Sequence, residues 1–293
     1  MATVVKRTVR GITYYYLEHT VREDGRVTKK SRYLGRAVPK DIEKLKQQFV
    51  YELDKVKWFV LFDKIKENYA VELAETPRSA REKGLKEFSV RFTYDTQRIE
   101  GSTLTLRETA QLLEEGISPS GKSIEDVKEA EAHQRVFFDM LSYRKDLSLQ
   151  VVLYWHKKLF EETKPDVAGQ IRGNGVRITG SKFTPPSPVE LNPLLRQFFS
   201  WYNHSKASMH PVELAALAHL KFVTIHPFSD GNGRISRLMM NFILNKHGYS
   251  MLSIEYKGRR TYYSALGRAQ VNNNERAFCQ WLFRKYLGEQ KPS

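Results

Sequence analysis

The sequence has almost no cysteine: Cys279 is the only one among its 293 residues. A single thiol excludes an intrachain disulfide, so buried apolar surface must hold the fold together, and a reducing compartment is the natural environment. The sequence also lacks any apolar run near the ~20 residues that a membrane-spanning helix needs, and its N-terminus has no apolar signal core. We therefore expect a cytoplasmic protein with no membrane partner.

Acidic residues are in deficit, with 33 Asp and Glu against 48 Lys and Arg, which gives a net charge of +15. The first 60 residues carry a large share of this excess. Alternating β-branched and aromatic residues predict two strands there, 11–21 and 26–34, joined by a hairpin turn at Glu23-Asp24-Gly25. Pro39 then precedes a helix predicted to run from 41 toward 61. We interpret residues 1–60 as a basic β-hairpin and helix extension.

The role of this extension stays open at the level of sequence. Basic side chains together with Tyr14, Tyr15 and Tyr16 could bind nucleic acid by neutralising phosphates and stacking on bases. The alternative is a structural ribbon that packs on the helical core or on a second copy of the chain in a homodimer. The basic excess could also attract an acidic target protein.

Residues 61–293 are predicted to be mainly α-helical. Apolar residues recur at helical spacing, as in Leu214, Leu217 and Phe222, and Thr105 with Glu108 forms the sequence of a capping box. The segment 165–188 interrupts this rhythm with four glycines and four prolines. Its β-branched run at 176–183, bounded by glycine, predicts a short hairpin; the alternative is a long surface loop. We expect about eight helices in this core.

The densest group of chemically active residues lies at 226–237, between two predicted helices. Gly231 and Gly233 have no β-carbon, so backbone N–H groups can converge there at the positive end of the second helix, which favours an anion such as phosphate. Arg234 and Arg237 share a face of that helix and could bind the same phosphate chain. These four positions predict a phosphate-binding site.

Two more residues of this loop suggest transfer chemistry. Asp230 beside an anion site would repel phosphate unless a divalent cation lay between them, which indicates Mg²⁺. His226, at the end of the first helix, could accept a proton from an incoming hydroxyl. The loop therefore predicts nucleotidyl or phosphoryl transfer; the alternative is a Gly/Asn turn with a capping Asp and solvated arginines.

The run from His226 to Arg234, closed by Arg237, resembles the signature of the Fic (filamentation induced by cAMP) family, H-P-F-x-[D/E]-G-N-G-R-x-x-R, at every fixed position. The resemblance implies a Fic-type helical bundle with a small β-hairpin flap. It implies transfer of AMP from ATP to a Tyr, Ser or Thr hydroxyl of a target protein, with release of pyrophosphate, and self-modification is a natural side reaction. By position, it implies His226 as the general base, Asp230 as the Mg²⁺ ligand, and nucleotide contacts from Gly231, Asn232, Gly233, Arg234 and Arg237.

Thr96 and Glu100 lie in a string, 96–101, that resembles the inhibitory motif of this family, [S/T]-x-x-x-E-[G/N]. A carboxylate in the last turn of a helix is unfavourable unless a cation compensates. The resemblance implies that an inhibitory helix, about 86–101, pairs Glu100 with Arg237 and so withholds that arginine from the γ-phosphate. This arrangement is the class II form of the family. Some relatives also remove AMP with the same glutamate, and the sequence leaves the balance open.

Two further segments resemble parts of the family. The loop at 165–188 stands where the flap pairs with the backbone of the target, which implies docking through Val176, Ile178, Thr179 and Gly180. Tyr263, Leu266 and Gln270 resemble the adenine pocket, although Gln270 stands where relatives often carry Asn. An aromatic pair at Tyr262 and Tyr263 is otherwise ordinary core. His133, His156 and His219 carry only a generic case for function and are assigned to packing or to the surface.

Overall fold

The computed structural model describes residues 2–23 and 26–290. The chain divides into two compact units between Asp63 and Lys64. The hairpin-turn residues Asp24 and Gly25 lie outside the described residues.

The first unit contains an antiparallel sheet of three strands, β1 (Thr3–Val9), β2 (Ile12–Glu23) and β3 (Arg26–Gly35), in that order. The prediction of only two strands was incomplete: five of the seven residues of β1 are Val or Thr, but the strand is mostly exposed and pairs only with β2. Register pairs Val4 with Leu17 and Leu17 with Arg32. Leu17 and Val4 pack, through one face of the sheet, on a cluster with Phe49 and Leu53 of the first helix, α1 (Ile42–Glu75).

The rest of the described chain is helical, as predicted, but with more helices than expected. After α1 come α2 (Arg78–Ile99), α3 (Leu106–Glu115), α4 (Ile124–Ser142), α5 (Leu149–Phe160), α6 (Pro188–Ser205), α7 (Pro211–Ile225), α8 (Asn232–Lys246), a 3-10 turn (Tyr256–Gly258), α9 (Arg259–Val271) and α10 (Glu275–Glu289). The capping box predicted at Thr105 and Glu108 begins α3. No helix among the described residues is long and apolar enough to cross a membrane.

Helices α7 and α8 lie at the centre of the second unit. Twelve of the fifteen residues of α7 are buried, which places it inside the bundle and not on its surface. In α8, Leu238, Met239 and Met240 are fully buried. The loop between these two helices is therefore held by packing on both sides, which fixes its backbone.

The prediction of a flap hairpin at 176–183 is wrong, because the structure has no β-strand in this segment. Between α5 and α6 the chain forms turns and bends, with one turn closed by the hydrogen bond from Ser181 N to Ile178 O (3.1 Å) and with Gly180 at φ 75°. The β-branched residues lack a partner strand within the segment, so their propensity alone does not form a ladder. Val176 and Ile178 are half-buried, whereas Thr179 and Gly180 are exposed.

Candidate active site between α7 and α8

The loop from His226 to Gly231 is braced from within by Asn232. Its side-chain oxygen accepts from the backbone N–H of Phe228 (2.9 Å), and its amide nitrogen donates to the carbonyl of Phe228 (2.8 Å). Phe228 itself is fully buried. Asn232, predicted to contact phosphate, thus uses its side-chain amide to hold the loop closed. Gly231, at φ 80°, allows the turn into α8.

His226 has a defined tautomer. Val223 O can only accept, so Nδ1 of His226, at 3.1 Å, donates its proton there and leaves the lone pair on Nε2. The residue ends α7 in the left-handed conformation, at φ 53°, which turns it out of the helix. Burial lowers the pKa of His226, and the nearby Arg172 guanidinium lowers it further. A neutral imidazole with a free nitrogen suits a general base.

His156 of α5 holds the loop through a hydrogen bond to its backbone, a role that the sequence did not predict. Gly169 N donates to its Nδ1 (2.8 Å), so the proton is on Nε2, which donates to the carbonyl of Asp230 (3.0 Å). Its ring stacks on Phe228 at 3.8 Å between centroids. Burial lowers the pKa of His156 to about 4, which keeps the ring neutral and this hydrogen-bond pattern fixed.

Arg172 ties the same loop to the segment between α5 and α6. Its Nε donates to His226 O (2.8 Å) and its backbone N–H to Pro227 O (2.9 Å). Its two terminal nitrogens donate to Asn174 O and Pro186 O, both at 2.7 Å. The side chain is 4% exposed. No local pattern in the sequence distinguishes this arginine, because its partners are backbone carbonyls, and His226 and Pro227 lie more than fifty positions along the chain.

Asp230 lies in a partly buried group of charges. Its Oδ2 is 2.7 Å from Lys164 Nζ, and its Oδ1 is 2.8 Å from a terminal nitrogen of Arg234. Although burial opposes ionisation, Arg234 and Lys164 together hold the pKa of Asp230 well below its usual range. Asp230 is therefore a carboxylate near neutral pH, in the form that a metal ligand requires.

Arg234 faces protein carboxylates. Its guanidinium pairs with Glu129 of α4 as well as with Asp230, and one nitrogen donates to Gln97 (3.2 Å). It is 3% exposed and lies over the ring of Phe160. The predicted phosphate contact of Arg234 would therefore require a rearrangement of these ion pairs. Its observed contacts hold α8 to α4 and orient Asp230.

Glu100 and Arg237 meet, as the inhibitory motif implies. Glu100 caps α2, and its Oε1 is 2.5 Å from a terminal nitrogen of Arg237. Arg237, only 1% exposed, also donates to Thr96 Oγ1 (3.1 Å) and to the Tyr262 hydroxyl (3.4 Å). A β-carbon built at Gly233 would collide with Glu100 Oε1. The carboxylate thus lies against the backbone where phosphate binding was predicted.

The three predicted adenine contacts all lie on α9. Tyr263 is half exposed, and its hydroxyl donates to Ile99 O at the end of α2 (3.0 Å). Leu266 is buried, and Gln270 donates to Thr224 Oγ1 of α7 (3.2 Å). Tyr263 therefore also anchors the end of the helix that carries Glu100.

The described part of the chain does not by itself offer a complete metal cage. Among the described residues, no cluster of three or more His, Cys, Asp or Glu side chains is arranged to hold a metal. Mg²⁺ is commonly bound by one or two carboxylates together with substrate phosphates, and Asp230 fits that use. A cation already lies on it: Lys164 Nζ is also 2.7 Å from Glu125 and 2.9 Å from Glu129. The residues present fit a divalent cation, with the ammonium as its stand-in.

Comparisons with known proteins agree with this geometry. The family model described as Fic/DOC family matches residues 146–244, which include the joint between α7 and α8. Proteins named "Protein adenylyltransferase Fic" from Drosophila ananassae and Aedes aegypti are 37% identical to the chain over 193 and 186 residues, 64% and 62% of its length. The chain spans only 38% and 37% of the length of these relatives.

Solved structures show the same fold over most of the chain. Fic-1 from C. elegans aligns with a TM-score of 0.75 at 27% identity and covers 85% of this chain and 74% of that one. A Fic domain containing signaling protein from Bacteroides thetaiotaomicron aligns with a TM-score of 0.70 at 26% identity, over 78% and 94% of the two chains. The fold and the loop define a Fic-type helical bundle. Residues 146–244 match the Fic/DOC family model, and the fold is that of the Fic structures over most of the chain.

Because Lys164 occupies the cation position at Asp230, we expect Lys164→Gln to increase affinity for Mn²⁺, a probe for Mg²⁺. The increase should be about three- to fivefold, since a partly exposed ion pair is worth at most about 1 kcal/mol. Electron paramagnetic resonance titration of Mn²⁺ with a bound non-hydrolysable ATP analogue measures this directly. Lys158→Gln, which removes a nearby exposed ammonium paired with Glu161, is the control. Unchanged or weaker Mn²⁺ binding by Lys164→Gln would contradict the competition.

Proposed function

We propose that the chain transfers AMP from ATP to a Tyr, Ser or Thr hydroxyl of a target protein, and to itself, under autoinhibition by Glu100. The contact between Glu100 and Arg237 carries the proposal of autoinhibition. The complete loop, with His226 neutral and its Nε2 lone pair free, supports the transfer chemistry. The curated relatives named protein adenylyltransferase support the same reaction.

In the proposed reaction, Nε2 of His226 removes the proton from the target hydroxyl as its oxygen attacks the α-phosphorus of ATP. A new P–O bond forms, the bond to the β-phosphate oxygen breaks, and pyrophosphate leaves with the bonding electron pair. The backbone amides near Gly231 and Gly233, at the N-terminus of α8, would stabilise the phosphate charge. Mg²⁺ held by Asp230 would neutralise charge on the phosphate oxygens.

The remaining site residues support this reaction in different ways. Arg237, once released, would contact the γ-phosphate, whereas Asn232 and Arg234 would keep the loop and Asp230 in position. The α9 residues Tyr263, Leu266 and Gln270 would bind the adenine. Exposed backbone around Thr179 and Gly180 lacks strand partners within its segment and would dock the target by β-augmentation.

The geometry of α2 supports autoinhibition, because this helix precedes the matched family region and ends at Glu100, the class II arrangement. The guanidinium of Arg237 donates hydrogen bonds to Thr96, Tyr262 and Glu100. The carboxylate of Glu100 also lies against the backbone of Gly233. ATP would therefore bind without its γ-phosphate anchored. The same carboxylate could orient a water molecule for removal of AMP, so we propose de-AMPylation as the second activity of this site.

Glu100→Gly should increase self-labelling from ATP labelled at the α-phosphate, because Arg237 loses its competing anion. We expect a gain of about tenfold or more, the effect of about 1.4 kcal/mol. Autoradiography of the purified chain measures the gain. Glu115→Gly, at the exposed end of α3, is a matched control that should leave labelling unchanged. Equal labelling of wild type and Glu100→Gly would contradict autoinhibition.

His226→Ala in the Glu100→Gly background should abolish labelling while ATP still binds. Because the pKa of His226 is lowered, the intact histidine stays neutral below its ordinary pKa near 6.5, and the rate should fall only at more acidic pH. A pH profile of initial labelling rates, with calorimetry for ATP binding, tests both statements. Residual turnover in His226→Ala, or a rate that already falls on going below pH 7.5, would exclude this base.

Arg172→Lys should lower kcat about tenfold or more with little change in KM for ATP, because a lysine cannot hold His226 O, Asn174 O and Pro186 O together. Steady-state labelling in the Glu100→Gly background separates kcat from KM. Arg177→Lys, an exposed arginine of the same segment, is the control. An equal effect of both variants, or a loss confined to KM, would show that Arg172 does not position the base.

A further inference from the structure

The sheet of the first unit has a second face that the proposed reaction does not use. We call it the open face. It is the face of the sheet away from the side chain of Leu17, and the strand register places on it Arg7, Tyr14, Tyr16, Arg22, Lys29 and Tyr33. Arg7 pairs with Tyr14 across β1 and β2, and Tyr16 pairs with Tyr33 across β2 and β3. Leu17 and Val4 point to the other face, which packs on α1.

Aromatic rings form the centre of the open face. Tyr33 lies 5.3 Å from Tyr16 and 6.1 Å from Tyr14 between ring centroids, and the guanidinium of Arg7 lies 4.5 Å over Tyr16. Tyr33 is 55% exposed, although large aromatic side chains usually gain free energy when they are buried. Val9 and Val27 are also exposed on this face. The sheet thus presents a ring cluster to solvent.

Positive charge surrounds these rings. Residues 1–40 contain ten Lys and Arg but only three Asp and Glu, whereas residues 41–60 contain four of each. The whole basic excess of the first 60 residues therefore belongs to the sheet segment. Arg22 and Lys29 are exposed on the open face, and one of the three carboxylates, Glu18, pairs with Arg7.

We propose that the open face binds single-stranded nucleic acid. Phosphates require the cations, and unpaired bases require flat aromatic rings on which to stack, and this face supplies both within a few residues. An acidic protein would use the charges but leaves the exposed rings unexplained. A duplex would present its phosphates but keep its bases stacked away from Tyr33. The proposal is independent of AMP transfer.

Fluorescence anisotropy of the full chain with a labelled 20-nucleotide single strand, DNA or RNA, tests the proposal. We expect binding that weakens steeply between 50 and 200 mM salt, as displacement of counterions requires. A blunt duplex of the same sequence should bind more weakly. No binding at 20 µM protein in 50 mM salt, or tighter binding of the duplex, would overturn the proposal.

Two kinds of variant separate stacking from charge. Tyr33→Ala should weaken binding about tenfold without changing the salt dependence, and Tyr33→Phe should restore it, because only the ring is needed. Arg22→Gln together with Lys29→Gln should weaken binding and also reduce the salt dependence. Lys83→Gln together with Lys158→Gln, two cations outside the sheet, is the charge-matched control. An equal loss of nucleic-acid affinity in the control, or full affinity in Tyr33→Ala, would overturn the proposal. If poly-glutamate displaced the single strand completely and Tyr33→Ala had no effect, the open face would instead be assigned to an acidic protein.

Discussion

The ion pair between Glu100 and Arg237 is the interaction on which the rest of the site depends. A guanidinium that is 1% exposed is tolerated only with an anionic or strongly polar partner. Burial opposes its charge, but Glu100 raises the pKa of Arg237, so the group stays cationic. Glu100 in turn lies at the end of a helix, where a cation compensates its unfavourable position. In the proposed autoinhibition, the contact that satisfies the arginine is the same one that would withhold it from phosphate.

The loop between α7 and α8 is held in one conformation because its backbone carbonyl groups accept hydrogen bonds from side chains and from the backbone of other segments. His156 binds the carbonyl of Asp230, Arg172 binds those of His226 and Pro227, and Asn232 binds Phe228. These contacts come from different parts of the chain. The N–H of Gly231 donates to Asp230 Oδ1, so the amides after it, at the start of α8, are the ones proposed to face an anion. Such preorganisation means that little reorganisation is needed when charge develops on a phosphate.

Sequence predicted the parts of this site that are local. The joint at 226–237 and its glycines follow from a short motif whose residue types have a direct physical meaning, whereas the meeting of Glu100 with Arg237 was implied by the resemblance to the family's inhibitory motif. Lys164, Arg172 and His156 could not be found this way, because each acts on residues more than fifty positions away through contacts that leave no periodic pattern. The flap hairpin did not form because β-propensity without a partner strand does not make a sheet. β1 was missed because the sequence alone does not reveal that this mostly exposed Val- and Thr-rich segment pairs with β2.

The affinity ratio of ATP to ADP, measured by calorimetry, shows whether Glu100 keeps Arg237 from the nucleotide, because ATP and ADP differ only in the γ-phosphate that Arg237 would bind. With Glu100 on Arg237, the wild-type chain should bind the two nucleotides almost equally. In Glu100→Gly, whose Arg237 keeps Thr96 and Tyr262 as partners, ATP should bind about tenfold more tightly than ADP. A ratio that is the same in both proteins would contradict the account.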